Sequence, residues 1–162
     1  MATVAIQYSS STTIQCTLTD LVSSSTLARS SNSVDNSVNL YDDSILHIEV
    51  RTTGTATAAD KACFVYIYGA TNGTNWSASK GESVGLDGII NLQNPTNLLG
   101  PVAIATPGTS QIYGADIPIA PFFGGRMPKV WGFAIRNGTK NTLHWDDGSM
   151  SKNYIGIKYT VV

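Results

Sequence analysis

Charge is what this sequence has least of. Lys, Arg, Asp and Glu make up 13% of its 162 residues, against roughly 25% in an ordinary domain. Ten basic and eleven acidic side chains leave a formal net charge of -1. That argues against the basic stripe of a nucleic-acid binder and against a polybasic membrane-surface binder. Long apolar runs are missing as well, so no transmembrane span is expected. The opening "MATVAIQYSSSTTIQC" has neither a basic stretch nor an apolar core, so no signal peptide is expected and cytosolic synthesis is. Cysteine is limited to Cys16 and Cys63, with no metal-site spacing. Both lie in strand-like runs. They read as small buried hydrophobes or as a disulfide between neighbouring strands, and cytosolic synthesis argues for the first. No window is rich in Ala, Leu, Glu and Lys, so helix is scarce. Thr19 to Arg29 is the best candidate, and its serines weaken it.

Ser, Thr, Asn and Gly supply the polarity that charge does not. With 42% hydrophobic residues in patterned runs, the chain is a folded one. Its length suits a single domain, residues 1–162, that buries its own core. Residues 1–39, which include a Ser/Asn-rich stretch from Ser23 to Ser37, read as an N-terminal arm or irregular segment. A surface with few charges and almost no net charge suits a protein packed against something else.

The strongest pattern is alternation. Val4, Ile6 and Tyr8 alternate, as do Ile14, Cys16 and Leu18. In "ILHIEVRTT", Leu46, Ile48 and Val50 take one face, and His47, Glu49 and Arg51 take the other. In "NYIGIKYTVV", Ile155, Ile157, Tyr159 and Val161 share a face opposite Tyr154, Lys158 and Thr160. About ten such segments, separated by Gly, Pro, Asn and Asp, predict an all-β antiparallel two-sheet sandwich of the jelly-roll type. Leu46, Ile48, Val50, Val65, Ile67, Ile155 and Ile157 are the expected core. In "KACFVYIYGATNGTNWSA" both faces are apolar, with Cys63, Val65 and Ile67 opposite Phe64, Tyr66 and Tyr68. The second face must therefore lie under a loop or the N-terminal segment, or against another subunit. Asn-Gly pairs at Asn72 and Asn137 predict tight I′ hairpins. That turn chemistry accounts for the Asn-Gly pairs among the sequons at Asn72, Asn75 and Asn137 without a glycan.

Catalytic chemistry is not visible. No Ser, His and Asp form a nucleophile elbow. Gly124 and Gly125 in "PFFGGRMP" are followed by no phosphate-loop Lys-Ser/Thr. Phe122 and Phe123, between prolines, read as a loop anchor packing into the core or into a neighbour. His47 with Glu49 and Arg51 reads as a solvated strand face carrying cross-strand charge pairs. His144 beside Asp146 and Asp147, like the Asp42–Asp43 pair, reads first as turn chemistry, with too few oxygens in view for calcium. No metal and no cofactor are expected. Trp76 and Trp145, each beyond an Asn-Gly-Thr turn, either cap the core or stack on sugars. Stacking would make the chain a carbohydrate- or receptor-binding module.

Taken together, "DKACFVYIYGATNGTNW" and "FGGRMPKVWGFAIRNGTKNTL" give a stretch from Leu40 to Val162 that resembles the small β-rich virion proteins of tailed bacteriophages, the capsid decoration or cement type. The resemblance implies a jelly-roll-like sandwich, no enzymatic activity, and binding to the major capsid protein on the virion surface after synthesis in the host cytoplasm. Self-association is expected as well. Phe64, Tyr66, Tyr68, Phe122 and Phe123 are the expected interface residues. Trp76 and Trp145 are the expected site under the alternative reading, a sugar- or receptor-binding sandwich of a tail or fibre.

Overall fold

The computed structural model describes residues 3–53, 62–73, 84–92, 98–106, 111–144 and 147–162. Among them are eleven strands: β1 (Val4–Tyr8), β2 (Thr12–Thr13), β3 (Leu27–Ser30), β4 (Val34–Asp35), β5 (Asp43–Arg51), β6 (Ala62–Ala70), β7 (Gly88–Asn91), β8 (Leu99–Ala105), β9 (Ile112–Pro118), β10 (Val130–Asn137) and β11 (Lys152–Val161). Among the described residues helix is confined to two short 3-10 turns, at Ala120–Phe123 and Asp147–Ser149. The Thr19 to Arg29 segment is a turn followed by β3.

All the strand pairings are antiparallel. The first sheet runs β1-β11-β5-β9, with β2 also on β11. The second runs β7-β3-β10-β6-β8, with β4 also on β10. The order has a simple origin. β6 pairs with β8, β5 with β9, β3 with β10, and β1 with β11. These are the nested pairs of one long hairpin, rolled over on itself so that alternate pairs fall in opposite sheets. The sandwich is a jelly roll.

The two inner faces meet in one core. Leu46, Ile48 and Val50 of β5 lie opposite Cys63, Val65 and Ile67 of β6 and Trp131, Phe133 and Ile135 of β10, all with no exposed surface. Alternation places them there, and burying each Val, Leu or Ile stabilises the fold by about 1.5–3 kcal/mol. Ile14, Cys16 and Leu18 alternate as expected and fill the same core, although the strand beside them is only Thr12–Thr13. Cys16 and Cys63 are free thiols, both buried. Burial pushes the Cys63 thiol up to about 12, against smaller opposing effects of Arg136 and the Gly138 amide.

Several expectations need correction. Residues 3–39 form no arm: β1 and β3 are integral strands, and β3 sits between β7 and β10. Ile155 is 36% exposed, because β11 turns its other face inward. There Tyr154 meets Trp131 edge-on, with ring centroids 5.5 Å apart. Gly156, next on that inner face, makes room for the Tyr41 ring, which occupies the space a Cβ would take. Ile157, on the outer face with Ile155, is nonetheless buried, as expected.

The Asn-Gly pairs do not form I′ turns. Neither Asn72 nor Asn137 nor Gly138 has a positive φ, although Gly73 does at 83°, and a I′ turn needs positive φ at both central residues. Asn137 is a buried anchor instead. Its amide donates to the carbonyls of Leu21 (2.7 Å) and Asn141 (2.6 Å), and its oxygen accepts from Thr139. Asn75 lies outside the described residues.

Candidate binding face

The second face of β6 is covered by the chain itself. Tyr68 has no exposed surface. Its hydroxyl donates to the Ser31 carbonyl at 2.7 Å and accepts from the Gly85 amide at 3.1 Å. Burial pushes the phenol up to about 12. With Ala28, Val84, Ile90 and Ala134 it makes a small second core on the outside of the second sheet, against which Tyr66, Leu92 and Leu98 pack. Tyr68 is therefore not an interface residue. A second apolar strand face indicates a second layer, and here the layer is intramolecular.

The other expected interface residues are also drawn inward. Tyr66 is half-buried in the second core. Phe64 is half-buried under the Arg136 guanidinium, 4.1 Å from the ring centroid. Phe122 and Phe123 pack against the main core. A Cβ on Gly69 would come within 2.6 Å of the Phe123 ring, so the glycine is what lets that ring seat. Trp76, Trp145 and Asp146 lie outside the described residues.

The Asp42–Asp43 pair has structural duties. Asp43 Oδ1 accepts from the amides of Ser44 (2.7 Å), Ile119 (3.2 Å) and Ala120 (2.8 Å), satisfying donors at the start of the 3-10 turn. Asp42 Oδ2 accepts from the Tyr159 amide at 2.7 Å. Among the described residues, no group of three or more His, Cys, Asp or Glu is placed to hold a metal ion.

One group of exposed apolar side chains lies together on the outer face of the first sheet. Directly paired residues of an antiparallel ladder share a face. Val4 pairs with Val161, Ile6 with Tyr159 and Tyr8 with Ile157. Next on β11 comes Ile155, which pairs with Ile45 on β5, and Ile45 pairs with Pro118 on β9. Val4, Ile6, Tyr8, Tyr159 and Val161 are each more than half exposed. Scattered exposed apolar side chains need no explanation, but a contiguous patch marks an interaction site. The period-2 pattern made these residues coplanar in the sequence, and it carried no signal of which way the face turns.

The patch has one polar corner. Tyr8, Ser11, Ile45, His47, Asp116 and Ile155 line an open depression of about 340 Å³. There His47 Nδ1 lies 2.6 Å from Asp116 Oδ1, and Nε2 lies 3.4 Å from Glu49 Oε1. The bond to Asp116 raises the His47 pKa, against partial desolvation and with help from Glu49. Glu49 is held below the usual carboxylate range chiefly by its bonds from Ser151. The cluster is the cross-strand charge pair expected of this face, with Asp116 on β9 as the partner that sequence spacing could not identify. Both imidazole nitrogens face carboxylates, Nδ1 that of Asp116 and Nε2 that of Glu49. The geometry suits adhesion with one ionic contact at its rim.

No family model matches the chain, and comparisons with curated proteins and with solved structures returned no match.

Proposed function

We propose that this chain is a non-enzymatic structural protein of a bacteriophage shell, a decoration or cement protein that binds the major capsid protein through the outer face of its β1-β11-β5 sheet. One observation carries the reading: a contiguous exposed apolar face on a chain with 13% charged residues. Jelly rolls are common in viral capsid proteins, though lectins share them, so the fold supports the reading by analogy alone. Each copy can bind weakly, because neighbours cross-link one lattice and avidity multiplies the effect. An apolar contact also resists salt, which screens ions and leaves apolar area untouched.

The experiment has two steps. Quantitative mass spectrometry of purified virions should find the chain in a fixed ratio to the major capsid protein. A Tyr159→Ser, Val161→Ser double variant should then keep its fold, because both side chains are exposed, and yet fail to bind bare shells or raise their heat resistance. Absence from virions, or binding unchanged in the double variant, would overturn the proposal.

A further inference from the structure

The four sheet edges are not alike. Native edges are blunted by proline, charge or shortness. β8 carries Pro101, β9 carries Asp116 and Pro118, and β7 has only four residues. β1 has none of these. From Thr3 to Ser9 the sequence TVAIQYS contains no charge and no proline, and among the described residues β1 is the end strand of its sheet.

Its backbone is half spent. Thr3 and Val162 exchange both backbone bonds, at 3.0 and 2.8 Å, and the Ser9 amide donates to the Gly156 carbonyl at 2.9 Å. Alternation along the ladder assigns Ala5 and Gln7 to that same side. The amides and carbonyls of Val4, Ile6 and Tyr8 therefore point away from the sheet. These are the residues whose side chains lie on the exposed apolar face.

We infer that β1 pairs with β1 of a second copy, antiparallel about a two-fold axis at Ile6. The strand is self-complementary in that register. Ile6 meets Ile6 of the partner subunit, Val4 meets Tyr8 of the partner subunit, and Tyr8 meets Val4 of the partner subunit. Every outward amide and carbonyl from Val4 to Tyr8 finds a partner. An uncharged strand brings no like charges together across the axis, which is the usual obstacle to self-pairing. The axis stands perpendicular to the sheet, so both apolar faces end on the same side and join into one surface. This dimer goes beyond the shell-docking reading and needs no shell to form.

Sedimentation equilibrium of the purified full chain should give twice the monomer mass in low and high salt. Ile6→Pro removes the central outward amide and none of the bonds to β11, a placement an edge strand tolerates. It should give a monomer with an unchanged circular dichroism spectrum. Ile6→Cys provides a check that does not depend on the proline variant folding. The paired α-carbons would stand about 5.5 Å apart across the axis, so a short thiol crosslinker should join two copies. Val4→Cys should not crosslink, because its two copies stand ~14 Å apart along the strands. A wild-type chain that stays monomeric, a folded Ile6→Pro variant that stays dimeric, or equal crosslinking at both positions would each overturn the inference. Shell binding by a monomeric chain would leave the decoration reading intact and remove only the dimer.

Discussion

Gly132 and Tyr68 face each other across the β10–β6 ladder, and the phenol occupies the space where a Cβ on Gly132 would stand. The ring cannot retreat without giving up its bonds to Ser31 and Gly85. Gly132→Ala should therefore cost about 1–3 kcal/mol, the range for overpacking a filled site, read as a lower urea midpoint at constant slope. Gly88→Ala is the control. Its nearest obstacle is the Leu86 carbonyl oxygen at 3.8 Å, so its midpoint should hold or rise slightly.

The His47 cluster predicts a pH dependence whose sign follows from the shift. The folded-state pKa of His47 is raised above its ordinary 6.5. Its stabilisation is fully present below that ordinary value and is lost as pH rises through the folded one. Glu49, lowered from 4.5, works in the opposite sense: its contribution is present above the ordinary value and fades as pH falls through the lowered one. The stability gap between the wild type and His47→Gln should be widest near pH 5–6, narrow towards pH 9, and shrink in 1 M salt, since the imidazole is 43% exposed. A gap that is flat with pH would count against an ionic role for this cluster.

Neither cysteine should react in the folded protein. The thiolate is the nucleophile, and burial suppresses it at Cys63, while Cys16 is equally enclosed. Alkylation without reductant should label neither thiol in buffer and both in denaturant. Rapid labelling in buffer would mean that the core opens far more readily than its packing implies. A mass two daltons short would mean that the thiols have joined.

The strand pattern was legible because period 2 survives every detail of tertiary structure. Leu46, Ile48, Val50, Val65 and Ile67 could be placed in the core from spacing alone. β11 shows where that reasoning stops. Its apolar set, Ile155, Ile157, Tyr159 and Val161, lies opposite Tyr154, Lys158 and Thr160, and alternation does not say which face turns inward. The choice is made by Trp131, which Tyr154 meets edge-on, and by the Tyr41 ring over Gly156. Neither contact is local in sequence. On β6 the two apolar faces did announce a cover, and of the two alternatives the intramolecular one holds at Tyr68, under the β3 segment and Val84–Gly85. β3 was hidden by composition. Its Ser30 side chain turns away from solvent and donates to the Leu86 carbonyl at 2.6 Å, so a polar sequence fills a buried strand. The apolar face around Tyr159 was missed for the reason that hid Ile155, since a face read as core is not considered as surface.

The pairing of first strand with last has a consequence for how the chain is made. Of the described strands β11 is the last to be synthesised, yet it lies between β1 and β5 and supplies the ladder for both. Until residues 152–161 emerge, β1 lacks its ladder partner, and among the described strands the first sheet has only the β5–β9 pair. Long-range pairings of this kind are slow to find, because a large loop must close before any contact rewards it. Completion of this sheet therefore waits for residues 152–161 and comes as one late step. A chain stalled before Lys152 holds an uncharged β1 with no native partner, and such nascent chains should depend on chaperones far more than the finished protein does.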